Sequence, residues 1–255
     1  MAIWLIKSRR SLALPPGKLK TYTTCPTIAM AALTTKATAA ARSAGLPATL
    51  FMITHRPSDG DHASIVTPVD AFETLDRSRA EFRRVLAGVT HEHWELATPC
   101  QEWDVRELVN HVLGGNVRYT MLLRGAGPAE VAATRSWDHI GADALASFDL
   151  SATEVVGAFG EQDALERTVH HPAGDRSGLD LLWLRIAEWT VHAWDLARAI
   201  GGDERLDPDL VDSLLARLDK HGTGLESGGY FTPALDAPSD APPQTRLLLA
   251  VGRRP

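Results

Sequence analysis

The chain has 255 residues, is 44% hydrophobic and 23% charged, and carries a formal net charge of −6. It can therefore bury a core, and its charge excludes nucleic-acid binding through a bulk basic surface. Two cysteines, Cys25 and Cys100, exclude a disulfide framework, a Cys-rich zinc site and an iron–sulfur cluster. No apolar run approaches the ~20 residues of a membrane span, so a cytoplasmic protein in a reducing setting is expected.

In chain order, residues 1–67 stand apart. They hold eight Lys or Arg against only Asp59 and Asp61, so the acidic excess lies wholly in the remainder. The segment is rich in Ala, Thr, Ser and Pro and has no sustained period. Its composition loosely imitates a targeting peptide, but the apolar run Ile28–Leu33 is short and Lys36 follows it. A disordered or mis-started N-terminal extension is expected over 1–67, and one helical domain over 68–255.

Thr67-Pro68 is a helix start, a Thr cap followed by Pro. Phe72, Leu75, Phe82, Val85, Leu86 and Val89 then recur at helical spacing. Asp104 with Glu107 forms a capping-box pattern that opens a second helix, which runs to Leu123 before Gly125. A third helix is predicted over Ile140–Phe159. His170–Gly178 reads as a loop. The most apolar helix runs Leu179–Ile200 and stops at Gly201-Gly202, and a fifth spans Pro208–Lys220. Beyond it the chain is Gly/Pro-rich and reads as mainly irregular. Strand signals are poor. The pattern predicts an all-α protein, an antiparallel helical bundle.

Two of these helices carry polar groups where a core should be apolar. On the fourth, Glu188, His192 and Asp195 fall within about 60° of one another, on a face shared with Leu181, Leu184, Val191 and Ala199. A buried carboxylate and imidazole one turn apart need a partner or a cation. At i, i+4 spacing both reach one metal. On the second helix His111 edges the apolar stripe of Leu108, Val112 and Tyr119, with Gly115 one turn on, which leaves room for a neighbouring helix or a ligand. His111, Glu188 and His192 would form a two-His, one-carboxylate set with positions left for water or substrate. The plainer alternative is a hydrogen-bonded core His111 and a buried ion pair of Glu188 and His192 with Arg185 or Arg198.

Other groups are weighed beside these. Asp195 is either an acceptor that fixes an imidazole tautomer or a helix-face charge. Cys100 reads as a small buried hydrophobe or as a group near the metal. Arg118 and Tyr119 could meet an anionic substrate, and His170-His171 could line the pocket mouth. His91 and His93 point to opposite sides of a helix and share no metal. Trp183, Trp189 and Trp194 read as core, and Arg253-Arg254 as a solvated end.

The runs from Thr98 to Val112 (TPCQEWDVRELVNHV) and from Glu188 to Gly201 (EWTVHAWDLARAIG), with Asp240-Ala241-Pro242, Arg246-Leu247-Leu248 and Gly252-Arg253-Arg254-Pro255, resemble the actinobacterial metal-binding proteins related to the N-terminal domain of mycothiol-dependent maleylpyruvate isomerase. The resemblance covers about 68–255. It implies a DinB-like four-helix bundle and a divalent metal held by His111, Glu188 and His192. Zn²⁺ suits that set first, with Ni²⁺ or Fe²⁺ as alternatives. The isomerase has a further C-terminal domain after its bundle, which is not expected here. The chemistry implied is therefore transfer or isomerisation with a small-molecule thiol of the mycothiol type and an electrophilic substrate, rather than maleylpyruvate isomerisation itself. A non-catalytic metal-binding or regulatory module and a metal-dependent hydrolase are the competing classes. No nucleic acid or membrane partner is expected, and either a monomer or a homodimer would serve.

Overall fold

The computed structural model describes residues 23–24, 68–101, 103–171, 174–221 and 234–255. The expected cap Thr67 and most of the 1–67 extension lie outside these residues.

Among the described residues the chain is built on helices. Helix α1 spans Pro68–Leu86, α2 Val105–Leu123, α3 Pro128–Ala133, α4 Ala144–Phe159, α5 Gly178–Ala199, α6 Pro208–His221 and α7 Pro243–Ala250. Four of them form the bundle: α1 packs on α5 and α4, and α2 packs on α4 and α5. Leu75, Phe82, Leu108, Leu113, Phe148, Val155, Leu181 and Trp189 fill its centre. Helix α6 leans on α1 and pairs with α7. The all-α helical bundle expected from periodicity, with the four-helix core that the family resemblance implied, is thus the architecture. No helix among the described residues is long and apolar enough to cross a membrane.

Local chemistry sets the helix ends. Asp104 accepts from Glu107 N at 2.8 Å, and Glu107 Oε2 accepts from Asp104 N at 3.3 Å, so both orphan donors of the α2 start are met. Asp143 caps α4 through Ala146 N. That cap places the α4 start four residues later than predicted, because Gly141 takes a left-handed φ of 62°. Ser177 caps α5 by accepting from Asp180 N.

Three sequence expectations are corrected. The segment read as a loop is a hairpin, with β3 (Thr168–His171) antiparallel to β4 (Gly174–Ser177), after the two-residue strands β1 (Thr23–Thr24) and β2 (Trp137–Asp138) pair in parallel. Val169 and His171 point inward from β3 while Thr168 and His170 are exposed, a period of two too short to stand out in sequence. The tail read as irregular contains α7, whose Leu247 and Leu248 are buried. The short helix α3 was not foreseen. With the 3₁₀ turn Thr134–Ser136 it crosses the open side of α2, where Asn110 bonds Trp137 O at 3.0 Å and His139 N at 2.7 Å.

Candidate metal centre

Helix α5 runs through the middle of the molecule, with every residue from Leu181 to Ala197 buried. Glu188 and His192 therefore have no water to solvate them, and they face α2. His111 Nε2 lies 3.9 Å from Glu188 Oε1. The His111 and His192 rings meet edge to face with centroids 5.3 Å apart. Trp103 packs on both rings, at 4.6 and 6.2 Å. Of the three side chains selected on the helical wheel, His111 thus neighbours both of the others.

The ion-pair alternative is realised in part. Arg185, one turn before Glu188 and fully buried, pairs with Glu188 Oε2. Arg198 is elsewhere, over the Trp194 ring and beside Glu204. The gap opposite Gly115 is filled by Arg185, whose guanidinium stands where a Cβ at Gly115 would be. Asn116 Oδ1 holds the same guanidinium at 3.3 Å and accepts from Trp189 Nε1 at 3.1 Å.

His192 is oriented from behind. Its Nδ1 donates to Asp195 Oδ2 at 3.0 Å. Asp195 accepts in turn from Arg253 Nε on Oδ1 at 2.8 Å and from Arg253 Nη2 on Oδ2 at 2.9 Å. Cys100 Sγ donates to Asp195 Oδ2 at 3.1 Å, and Arg253 Nη2 also reaches that sulfur at 3.2 Å. Arg253 is 6% exposed, so the reading of a solvated end is corrected. An arginine that meets a buried carboxylate with two nitrogens gains more from the pair than from water.

These contacts split the imidazoles. Burial, with the charges of His192, Arg118 and Arg185, holds His111 well below its ordinary range. Burial also opposes a proton on His192, but the bonds to Asp195 and Cys100 prevail and raise it to about 9. Asp195 is held below the usual carboxylate range: burial works against the charge, and His192 and Arg253 outweigh it.

Two candidate ligand sets differ in compactness. Only the first, Cys100, His192 and Asp195, draws its ligand atoms within 4.8 Å of one another. A cation among them would sit against the Arg253 guanidinium, which already occupies both Asp195 oxygens. His111, Glu188 and His192 lie on the other side of the His192 ring. There Arg185 Nη2 and Glu188 Oε2 are each other's ion-pair partners, while Arg185 Nε and the Tyr119 hydroxyl are buried without a hydrogen bond of good geometry among the described residues. The donor chemistry of this second set, two imidazoles and a carboxylate, fits a divalent cation.

The site opens onto a cavity lined by His111, Arg118, Tyr119, Arg135, His171 and Glu188. Arg118 and Tyr119 thus lie where the sequence suggested. His171 lines the cavity, whereas His170 pairs with Asp175 on the exposed hairpin. His91 and His93 sit in a 3₁₀ turn, where His93 Nδ1 accepts from Thr90 N. Trp189 and Trp194 are core. Sequence reasoning missed Arg253, Arg135 and Trp103. The first two had no periodic context, although Trp103 sits one residue before the α2 cap.

Three comparisons bear on this arrangement. The family described as the mycothiol maleylpyruvate isomerase N-terminal domain matches residues 75–197. Uncharacterized protein MT0763 of Mycobacterium tuberculosis (strain CDC 1551 / Oshkosh) is 30% identical over 187 residues, which cover 72% of this chain and 98% of that protein. Uncharacterized protein Rv0738 of Mycobacterium tuberculosis (strain ATCC 25618 / H37Rv) matches equally, at 30% identity with 72% and 98% covered. The crystal structure of the mycothiol-dependent maleylpyruvate isomerase superposes with a TM-score of 0.47 at 17% identity, covering 59% of this chain and 68% of that one. The family match spans α2 and α5, the two helices that carry His111, Glu188 and His192, and the chain belongs to the family of the mycothiol maleylpyruvate isomerase N-terminal domain.

Proposed function

We propose that His111, Glu188 and His192 hold a divalent metal, Zn²⁺ first by ligand chemistry, and that the protein is an enzyme that uses a low-molecular-weight thiol of the mycothiol type. The observation that carries this reading is that His111, from α2, stands beside both Glu188 and His192 of α5, with His111 and Glu188 lining a cavity. A bound divalent metal would favour the thiolate form of a thiol at neutral pH.

The chain's own groups supply the rest. Asp195 and Arg253 fix the His192 tautomer so that its ligand bond falls to Nε2. Arg185 holds Glu188 in its rotamer from one turn below. Trp103 packs on both imidazoles. In transfer, the thiolate sulfur bonds to an electrophilic carbon as that carbon's bond to its leaving group breaks; the leaving group departs with the electron pair, and the thiol proton goes to solvent. In isomerisation, the sulfur adds to a conjugated double bond and is expelled after rotation, so the thiol is not consumed.

The test is metal content of the full chain by mass spectrometry, beside His111→Ala, Glu188→Ala and His192→Ala. About one metal per chain, lost in each variant with helical circular dichroism retained, is the expected result. With Co²⁺ in the site, a thiol that reaches the metal adds a sulfur-to-metal charge-transfer band. Retention of metal in His111→Ala would overturn the ligand assignment. The set Cys100, His192 and Asp195 favours a second reading, a closed non-catalytic metal module. Loss of metal in Cys100→Ser, with His111→Ala unaffected, would establish that reading instead.

A further inference from the structure

Helix α4 leaves its outer row without a charge. Its exposed residues are Ala146, Leu150, Thr153 and Gly157, which follow one another at spacings of four, three and four along the same side. A solvent-facing helix row is normally charged or polar. Here the one hydroxyl is already engaged, because Thr153 Oγ1 donates to Asp149 O at 2.7 Å. Leu150 is 55% exposed, the more open of the two large apolar side chains left on the surface among the described residues.

Nothing within the described residues calls for glycine at 157. Gly115 and Gly178 are crowded from inside, by Arg185 and by the turn before β3. A Cβ at Gly157 would meet nothing within 4 Å, and its φ lies outside the left-handed region. Alanine would favour the helix there. A glycine on the outer side of a helix is the residue that lets a second backbone come close.

The adjoining row of α1 continues this face. Arg83 reaches across to Asp149, with Nε on Oδ1 at 2.7 Å and Nη2 on Oδ2 at 2.8 Å. Ala80 and Ala87 lie one turn to either side of Arg83 and are exposed. The face is thus a strip of small and apolar residues with one ion pair across its middle, both partners nearly half exposed. A positive row beside a negative one is complementary to itself. A two-fold axis parallel to the helices, between α1 and α4, would lay α1 of each copy on α4 of the other. Arg83 would then meet the partner's Asp149, and Leu150 would meet the small side chains that flank the partner's Arg83. Two helices about 10 Å apart and about 24 Å long offer about 500 Å² per copy, at the low end for a specific interface.

We infer that the α1–α4 face pairs with the same face of a second copy of this chain, in an isologous dimer centred on Arg83, Asp149 and Leu150. The candidate metal residues lie on α2 and α5, so this inference goes beyond the proposed function and does not rest on it.

The test is the mass of the full chain by light scattering and sedimentation velocity over about 1–100 µM, the range suited to a small interface. A monomer–dimer equilibrium is expected. Leu150→Glu should weaken it about tenfold or more, with helical circular dichroism retained. Arg83→Glu and Asp149→Lys should each weaken it alone, because like charges then face each other. Mixed in equal amounts, these two variants should form a heterodimer, since each supplies the sign that the other lacks. A role in folding alone gives no such rescue. If Leu150→Glu does not fold, the mixing experiment decides. A chain that stays monomeric throughout the range overturns the inference, as does a dimer that Leu150→Glu leaves unchanged or a mixture that gives no heterodimer. A monomer in which Leu150→Cys gains no maleimide label over the native chain would place the chain's own extension on the face, and overturns the dimer equally.

Discussion

Arg253 meets Asp195 with two nitrogens, 2.8 Å from Oδ1 and 2.9 Å from Oδ2, and so ties the segment after α7 to the residue that holds His192. Arg253→Ala would leave the Asp195 carboxylate buried beside Cys100 with His192 as its remaining polar support. Metal affinity is expected to fall about 10–100-fold, the usual cost of losing a group that orients a ligand. Arg253→Lys keeps the charge but not the fork and should recover only part of it. Metal titration with a chromophoric chelator checks this. A variant with lower thermal stability but wild-type affinity would show that Arg253 serves the fold alone.

The site was legible in sequence where helical periodicity governs and obscure where it does not. Glu188 and His192 stood out because a helix apolar nearly all round leaves polar side chains nowhere to go but a core. His111 could be named because its helix was bounded by the Asp104 and Glu107 cap, which fixed the phase of the stripe. Arg253 carried no such phase. It follows Gly252, which leaves the helix at a φ of 74°, so no wheel could aim it at Asp195. The same limit hid the hairpin, whose strands are four residues each. Arg185 was visible as a neighbour of Glu188, but the glycine that admits it lies on another helix. That complementarity exists only after packing.

Gly178 opens α5 against the turn before β3. A Cβ there would stand 2.8 Å from Ala164 C and 2.9 Å from Leu165 Cα, which are backbone atoms that cannot swing aside. Gly178 N and Leu179 N also bond Arg167 O and Leu165 O, both at 2.9 Å. Gly178→Ala would therefore separate the turn from the helix start despite its better helix propensity. A loss of about 2 kcal/mol is expected in urea unfolding, within the range for forced overpacking. An unchanged or higher midpoint would show that the turn yields without cost.

Asn116 serves two buried donors from α5 through one oxygen and bonds Ser151 on α4 through its amide, at 3.0 Å. Asn116→Ala strands the Trp189 indole and one arm of Arg185, and a cost of about 3 kcal/mol is expected. Ser151→Ala removes the acceptor of a neutral amide and a hydroxyl that donates to Phe148 O at 3.2 Å, and should cost about 1 kcal/mol. Equal losses in chemical denaturation would mean that the Arg185 contact contributes little.

His171 gives the fold an acid sensitivity. Burial, with Arg176, Arg135 and Arg118 around it, lowers it from 6.5 to about 4, although Glu188 pulls the other way. Between those values the unfolded chain binds more protons than the folded one, so stability rises with pH. The contribution is fully present above pH 6.5 and is lost as pH falls toward 4. From pH 7 to pH 5 the loss is about 2 kcal/mol, by linkage over that window. His171→Gln cannot titrate and should lose that much less than the wild type over the same interval. Urea midpoints of the metal-free chain at the two pH values measure the difference. Parallel losses in the two proteins would place the acid sensitivity elsewhere in the cavity.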